Sequence, residues 1–249
     1  MRMGKALIEW ALVRIAVFSD VHANLPALEA VLEFVEGLSV DAVLCLGDLV
    51  GYGPHPREVI ARIRESEIPC VLGGTDVRVI FPAPGPRKSP ETELALAWTR
   101  EQLGEEEKAF LRALPPMRKL QTPFGRAKAF HGRPDDPEAR FPLYESAAEL
   151  KPLLESLRAS LVLTGGGHVP VFRPLTRAYL LDPGSVGLTL GGEPGADLAV
   201  LTVTPEGVAA RIYKVPYDYA QTAFDIQAWG LPERIAQVVR TGRPLDPED

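Results

Sequence analysis

The residues best suited to chemistry in this 249-residue sequence are three histidines and two aspartates, each at or just beyond a strand-like run. Asp20 and His22 stand two apart after the first run, and Asp48, His131 and His168 follow later ones. Residues two apart on an extended segment project to the same side, so Asp20 and His22 can bind one ion together. Carboxylates combined with imidazoles favour Mn, Fe, Zn or Ni over Ca. The sequence therefore predicts a divalent metal site.

Alternating strand and helix patterns in the first half of the chain explain why these side chains should meet. The apolar spacing predicts a strand at 13–18, a helix from Leu25 with apolar positions Leu28, Val31, Leu32 and Val35, a strand at 42–46, a helix at 56–66 and a third strand beginning at 70–72. Two strand–helix–strand units imply a parallel sheet, and the carboxyl ends of parallel strands form the binding crevice. We therefore expect the loops that carry the candidate ligands to converge.

The second half of the chain is richer in strands. Its patterns predict helices at 91–103 and 105–113, strands at 117–121 and 126–130, a helix at 145–157 kinked near Pro152, strands at 161–164, 178–181, 198–203 and 208–215, and a helical stretch at 217–239 broken at Gly230. A proline-rich loop over 81–90 comes nearest to a boundary, but no linker divides the chain. We therefore expect one compact α/β domain over residues 1–249, with sheets packed together and helices outside.

Composition excludes several classes of function. The net charge is −6 without a basic block, so the attraction that drives binding to long nucleic acids has no visible source. No apolar run approaches the roughly 18 residues of a membrane helix, and residues 1–14 carry Glu9 in their apolar stretch without the cleavage site of a secretory signal. Cys45 and Cys70 lie in apolar runs that predict buried, reduced thiols. We expect a cytoplasmic protein with no membrane or long nucleic-acid partner, whose oligomeric state stays open.

Several short motifs occur in an order that is far more specific than any one of them. They are Asp20-Val21-His22, Gly47-Asp48, Gly73-Gly74-Thr75-Asp76, His131-Gly132 and Gly165-Gly166-Gly167-His168. With these motifs, nearly the full chain resembles the calcineurin-like metallophosphoesterases. The Asp-x-His-x-Asn motif that ends at Asn24, the turn 51–54 and the segment 182–187 resemble the small bacterial branch of that family.

The resemblance implies a fold and a reaction. The fold is a double β-sandwich flanked by helices, and the reaction is hydrolysis of a small phosphate mono- or diester by water that is activated at two metal ions. By this resemblance, Asp20, His22 and His168 hold the first metal. Asp48 bridges the two metals and His131 belongs to the second, so both are also catalytic candidates.

The sequence departs from the family pattern at three positions that belong together. Gly74 and Gly166 stand where the family has an Asn and a His for the second metal, and Thr75 stands where it has the His that stabilises the leaving group. The second site then keeps only two protein ligands, fewer than an ion normally needs. We expect one strong metal site, a weak or absent second site and reduced activity. Thr75 stays a catalytic candidate because its hydroxyl can donate a hydrogen bond, although it cannot replace an imidazolium.

The candidates for binding a phosphorylated substrate are Asn24, Arg133, Gly166 and Gly167. Arg133 could present its guanidinium where the second cation would lie, or pair in solvent with an aspartate at 135 or 136. The glycines could turn their N–H groups toward an anion, or simply permit a tight turn. Two functions stay open: a phosphoesterase with reduced activity, and a catalytically degenerate protein that binds a metal and a phosphorylated ligand or acts in regulation.

Overall fold

The computed structural model describes residues 12–81 and 89–244. The expectations about the start of the chain and about most of the proline-rich loop fall outside these ranges. In chain order the elements are β1 (Val13–Phe18), α1 (Leu25–Glu36), β2 (Ala42–Cys45), α2 (Pro56–Glu65), α3 (Gly74–Ile80), α4 (Pro90–Gln102), α5 (Glu105–Ala113), β3 (Met117–Thr122), β4 (Gly125–His131), α6 (Ala147–Leu157), β5 (Leu161–Gly165), β6 (Val171–Pro174), β7 (Tyr179–Asp182), β8 (Ala196–Thr204), β9 (Gly207–Val215), α7 (Tyr219–Ala228) and α8 (Glu233–Thr241).

The strands form two sheets, one of four strands in the order β2-β1-β8-β9 and one of five in the order β3-β4-β5-β7-β6. In the first sheet β1 runs parallel to β2, and in the second β5 runs parallel to both β4 and β7. Parallel neighbours end at the same edge of their sheet, so the loops after β1 and β2, and those after β4 and β5, are brought side by side. The predicted α/β fold with two sheets and flanking helices is confirmed.

The strand β1 shows how an apolar run serves two layers at once. Ile15 and Val17 pack into one apolar cluster with Leu161 of the other sheet. Ala16 and Phe18 belong to a second cluster, which is shared with the helices α1 and α2. A strand turns successive side chains to opposite faces, so a strand that is buried on both faces must be apolar throughout. The core therefore holds the end of β1, and the candidate ligands beyond it, in a fixed place.

The helix α1 follows the predicted pattern, since Leu28, Val31, Leu32 and Val35 are all buried. Cys45 and Cys70 are free, buried thiols, as predicted. Among the helices of residues 12–81 and 89–244, none combines the length and the apolar character that a bilayer crossing requires.

The segment after β2 differs from the prediction. The third strand expected at 70–72 is wrong, because a single bridge joins Cys45 to Cys70 and the chain then enters α3. The carboxylate of Asp76 explains this start: it accepts hydrogen bonds from the N–H groups of Gly73 and Val50, both at 3.1 Å, and so closes the first turn of the helix. The prediction also missed the short strand β6, which pairs with β7. Pro152, where a kink is predicted, lies inside α6.

Candidate metal centre

The loops that follow β1 and β2 are joined through their backbones. The N–H group of Asp20 donates to the carbonyl of Gly47 at 3.0 Å, and that of His22 donates to the carbonyl of Asp48 at 2.9 Å. Asp20, His22 and Asp48 have φ angles of 57°, 49° and 53°, and His168 has one of 58°. A left-handed backbone at a non-glycine residue costs on the order of 1 kcal/mol or more and clusters at functional sites. The fold therefore holds four candidate ligands in conformations that their own backbones disfavour.

Asp20 lies at the centre of the cluster. Its Oδ1 is 3.0 Å from Nε2 of His168, 3.6 Å from Nε2 of His22 and 3.9 Å from Nε2 of His131. The residue is fully buried, and this oxygen has no hydrogen-bond partner. Its Oδ2 accepts a hydrogen bond from the N–H group of Gly166 at 3.0 Å. One carboxylate oxygen is thus held by the backbone while the other is left facing three imidazoles.

Backbone carbonyls orient two of the histidines. Nδ1 of His131 lies 2.7 Å from the carbonyl of Leu46, and Nδ1 of His168 lies 2.7 Å from the carbonyl of Leu188. A carbonyl can only accept, so in both rings Nδ1 carries the proton and Nε2 faces the cluster. His168 and His22 bring their Nε2 atoms within 3.1 Å of each other. This pattern, with one ring nitrogen tied to a carbonyl, is typical of histidines that bind a metal through the other.

Two groups of three side chains in the described part of the chain could hold a metal ion: Asp20, His22 and His168, and Asp20, Asp48 and His131. The ligand atoms of each group lie within 4.8 Å of one another. The donors are carboxylate oxygens and imidazole nitrogens, which suit a divalent transition metal. An orphaned carboxylate oxygen among inward-facing nitrogens fits such a cation.

The titration of the cluster reflects opposite charges in a buried place. Burial alone would raise the pKa of Asp20, but the charges of His168 and His131 bring it well below its usual value. His131 and His22 likewise lower the pKa of Asp48 against the effect of its burial. In return, burial would lower the pKa of His131, but Asp48 and Asp20 raise it to about 10. Without a metal, the proton on His131 offsets part of the carboxylate charge.

The two glycines that replace family ligands are enclosed by the chain itself. A Cβ atom added to Gly74 would lie 2.8 Å from the carbonyl oxygen of Pro137, which is backbone. At Gly166 the φ angle is 87°, and a Cβ atom there would lie 3.1 Å from Nε2 of His131. Neither position has room for a longer side chain without movement of its surroundings. The space beside Gly74 is occupied by the segment 132–139, and the space beside Gly166 by the ring of His131.

Thr75 does not fit the catalytic role expected from the sequence. Its hydroxyl donates to the carbonyl of Val50 at 2.7 Å, which uses its only proton. Its N–H group donates to Oδ1 of Asp48 at 2.8 Å. Thr75 therefore stabilises the loop after β2 and the carboxylate of Asp48, and it has no proton left for a substrate.

Asn24 is committed to the fold rather than to a ligand. Its side-chain amide donates to the carbonyl of Gly187 and to the hydroxyl of Tyr217, both at 3.0 Å. Its oxygen caps α1 by accepting from the N–H group of Ala27 at 3.2 Å. The residue is 1% exposed, so the expected role in substrate binding does not fit this geometry.

The remaining substrate-binding candidates also point elsewhere. The N–H group of Gly166 donates to Asp20, and that of Gly167 donates to Asp182 at 3.0 Å, so neither is available to an anion. Arg133 is exposed, and its Nε lies 3.9 Å from a carboxylate oxygen of Asp135. The structure therefore contains the alternatives that the sequence left open: Arg133 pairs in solvent with Asp135, and the two glycines belong to a tight turn.

A cavity of about 420 Å³ opens beside the cluster. His22, Asp48, His131 and His168 line its inner wall, and Tyr52 stands at their side. The wall also includes Gly74, Thr75 and Gly166. Other lining residues were not singled out by motif reasoning, among them Arg78, Ser89, Thr92, Arg140, Leu188, Arg234 and Ile235. They belong to α3, α4, α8 and loops far apart in the chain, so no local sequence signal could have grouped them.

Comparisons with known proteins agree with this fold. The model of the calcineurin-like phosphoesterase superfamily domain matches residues 13–206. A metallophosphoesterase from Sphaerobacter thermophilus is 30% identical, with a TM-score of 0.74 over 92% of this chain and 99% of that one. The hypothetical protein PH1004 from Pyrococcus horikoshii OT3 has the same fold, with a TM-score of 0.83 at 23% identity over 94% of this chain and 100% of that one.

A curated relative spans a similar length. The uncharacterized protein MJ0912 of Methanocaldococcus jannaschii is 27% identical over 247 residues, which cover 92% of this chain and 98% of the relative. The family match itself runs from β1 to β8 and includes all five candidate metal ligands. Divalent metals and phosphate-ester hydrolysis are the general chemistry of that family. The chain belongs to the calcineurin-like phosphoesterase superfamily.

Proposed function

We propose that this protein is a metal-dependent phosphoesterase that hydrolyses a small phosphorylated compound at one complete cation site, formed by Asp20, His22 and His168. The observation that carries the proposal is the orphaned Oδ1 of Asp20, 3.0 Å from Nε2 of His168 and 3.6 Å from Nε2 of His22. A buried carboxylate is costly unless a positive charge compensates it, and in this fold the compensation comes from imidazoles, His168 foremost. A divalent cation among these three side chains would supply that compensation directly.

The other two polar residues of the inner wall would complete the site from its second side. Nε2 of His131 lies 3.3 Å from Oδ2 of Asp48, and both side chains are almost fully buried. A bound cation would supply Lewis acidity toward the phosphate group and would make a water molecule more acidic. The protein residues hold it, keep bulk water away and present the ester from the cavity, whose volume of about 420 Å³ suits a small molecule.

Reduced activity follows from an incomplete second site, because its group of Asp48 and His131 must share Asp20 with the first group. Two divalent ions against Asp20 and Asp48 would leave a charge of about +2 to receive a phosphate, whereas one ion leaves about zero. The enclosure of Gly74 by the carbonyl of Pro137 supports a single firmly bound ion. A two-metal clamp contributes much to such reactions, so turnover slower than that of a two-metal enzyme is expected.

A second candidate function is a degenerate protein that binds a metal and a phosphorylated ligand without turnover. The observation that favours it is Thr75, whose hydroxyl is spent on the carbonyl of Val50. The two functions share the cation site and differ in whether the ester bond breaks.

Manganese binding and hydrolysis distinguish these functions. The protein is stripped with EDTA and titrated calorimetrically with Mn²⁺. It is then assayed on 4-nitrophenyl phosphate and bis(4-nitrophenyl) phosphate. One tightly bound equivalent with turnover above the stripped sample supports the phosphoesterase, and one equivalent without turnover supports the binding protein.

Two variants serve as controls for that measurement. Asp20→Asn should lose both manganese and turnover. His55→Gln should keep both, because His55 lies outside both ligand groups and its ring is 4.0 Å from Asp225. Two firmly bound ions, or none, would contradict the proposed site.

A further inference from the structure

When a phosphate ester is hydrolysed, the departing alcohol needs a proton on its oxygen. Thr75, at the position where the family resemblance implies a histidine for this task, does not supply one. The family position of the leaving-group histidine is Thr75, whose hydroxyl proton is held by the carbonyl of Val50 at 2.7 Å. Arg78, which also lines the cavity, is engaged by the carboxylates of Glu93 and Glu138. The donor must therefore come from another wall of the cavity.

Tyr52 lies in the right place for this task. It lines the cavity, and its ring stands edge-on to that of His22, with 4.8 Å between the ring centroids and 80° between the planes. The turn that carries it packs on Thr75: a Cβ atom on Gly51 would lie 3.3 Å from Cβ of Thr75. Tyr52 thus reaches the cavity from the side of Thr75 and next to a candidate metal ligand.

The hydrogen bonds around Tyr52 leave its own proton available. The hydroxyl of Ser89 donates to Oγ1 of Thr92 at 3.3 Å, and the side chain of Thr92 hydrogen-bonds the Tyr52 hydroxyl. Because the Thr92 oxygen accepts from Ser89, its proton can be directed to the oxygen of Tyr52. A tyrosine hydroxyl carries its proton at neutral pH, so it can act as a donor there.

We propose that the Tyr52 hydroxyl is the hydrogen-bond and proton donor to the leaving-group oxygen of the phosphate ester. This assignment rests on the proposed phosphoesterase function. In the step, the oxygen of water bonds to phosphorus while the bond from phosphorus to the leaving oxygen breaks. The leaving oxygen keeps that electron pair and takes the Tyr52 proton. The water proton passes to solvent, and the tyrosinate regains a proton from solvent.

The test is Tyr52→Phe in the manganese-loaded protein, because this change keeps the ring against His22 and removes only the hydroxyl. The variant is assayed on a 4-nitrophenyl ester and on a phenyl ester. Both are monoesters or both are diesters, according to which of these two classes the wild-type protein hydrolyses faster. The 4-nitrophenolate released from the first ester is a good leaving group without a proton. The phenolate released from the second is a poorer one and needs a proton. Tyr144→Phe is the matched control, since Tyr144 is 77% exposed and does not line the cavity.

Tyr52→Phe should lower kcat on the phenyl ester by about 100-fold, the lower end of what a positioned proton donor contributes, and on the 4-nitrophenyl ester by about threefold or less. Thr92→Val should give a smaller loss with the same preference for the phenyl ester. An equal loss on both esters, or no loss on either, would overturn the assignment, because a merely structural role does not depend on the leaving group.

A binding measurement separates this assignment from the proposed function. If the wild-type protein hydrolyses neither ester, the phosphoesterase proposal fails, and calorimetry with inorganic phosphate then decides on Tyr52. One phosphate oxygen occupies the position of the leaving oxygen, so Tyr52→Phe should bind phosphate about tenfold more weakly, as expected for one hydrogen bond to a charged group. Unchanged phosphate affinity would overturn the role of Tyr52 whether or not the protein turns over.

Discussion

At the scale of single residues, Asp20 connects the parts of the centre. Its side chain faces His22, His131 and His168, and its Oδ2 holds the N–H group of Gly166. Its carbonyl accepts from the Ser185 hydroxyl at 2.8 Å. Because these contacts reach three separate loops, the residue sets both the charge and the geometry of the cluster.

Replacing Asp20 by asparagine should weaken manganese binding by about 100-fold or more, beyond the loss that is typical when only a supporting hydrogen bond is removed. The amide keeps the size of the side chain but removes the charge that faces the imidazoles. Calorimetric titration of the EDTA-stripped variant measures the effect. Equal manganese affinity in Asp20→Asn and in the control His55→Gln would refute the assignment of the site.

Arg133 gives the opposite expectation. Its side chain is exposed and lies near Asp135, outside the residues that line the cavity. Arg133→Ala should therefore change kcat/KM by about twofold or less, as is usual for an exposed pair. Steady-state kinetics beside Tyr52→Phe provide the comparison. A tenfold loss of kcat/KM would show that the guanidinium of Arg133 does contact the substrate.

At the scale of elements, α3 and the segment 132–139 together enclose Gly74, where the family resemblance implies an asparagine ligand of the second metal. The first turn of α3 is fixed by Asp76, and the segment brings the carbonyl of Pro137 against Gly74. Arg78 of α3 binds Glu138 of the same segment at 3.0 Å. These contacts make the closure a property of two packed elements rather than of one substituted ligand.

Restoring the family asparagine in the variant Gly74→Asn should therefore fail to create a second site. The new Cβ atom would meet the Pro137 carbonyl at 2.8 Å, and overpacking of this kind costs about 1–3 kcal/mol of unfolding free energy. Chemical denaturation and manganese stoichiometry measure the two effects. Gly37→Asn is the control, because Gly37 has a φ of −74° and a Cβ there would be 3.4 Å from its nearest neighbour. A stable Gly74→Asn variant that binds a second ion would show that the segment yields readily.

At the scale of the whole molecule, two sheets pack face to face and leave their polar loops at one edge. The interior between them is apolar, whereas Asp20, Asp48, His22 and His131 are buried at its rim and His168 is half-buried beside them. Burying so many titratable groups is tolerated only when charges or protons balance them. The stability of the fold should therefore depend on pH and on metal together.

In EDTA, the free energy of unfolding should fall as the pH rises from about 6.5 toward 10. The pKa of His131 is about 10 in the fold against an ordinary value of 6.5. Its contribution to the free energy of unfolding is therefore fully present below pH 6.5 and is lost as the pH rises through 10. His168 shifts in the same direction. Manganese must displace these protons, so its stabilising effect should grow with pH. Thermal unfolding over this range, with His131→Gln as a control that flattens the dependence in EDTA, checks both signs; a rise of stability with pH in EDTA would contradict them.

Much of the arrangement follows from local patterns in the chain. Period-two and helical spacing predicted β1, α1 and most later elements, because burial on one or two faces leaves a direct mark on which positions are apolar. The identity and order of Asp20, His22, Asp48, His131 and His168 indicated the family and the metal chemistry. The start of α3 was missed because its cap depends on Asp76, whose partner Val50 lies in a different loop. That Gly74 and Gly166 stand in the place of family ligands stays a prediction.

The sequence by itself determined the fold class, the family and the residues that could bind a cation, since these depend on residue type and spacing. Only the tertiary structure decided where each hydrogen-bonding group points. By sequence alone, four residues could contact a substrate: Asn24, Thr75, Gly166 and Gly167. In the structure their donor groups form hydrogen bonds to Tyr217, Val50, Asp20 and Asp182 respectively. A polar group has few hydrogen bonds to give, and whether the fold uses them depends on neighbours that are distant in the chain.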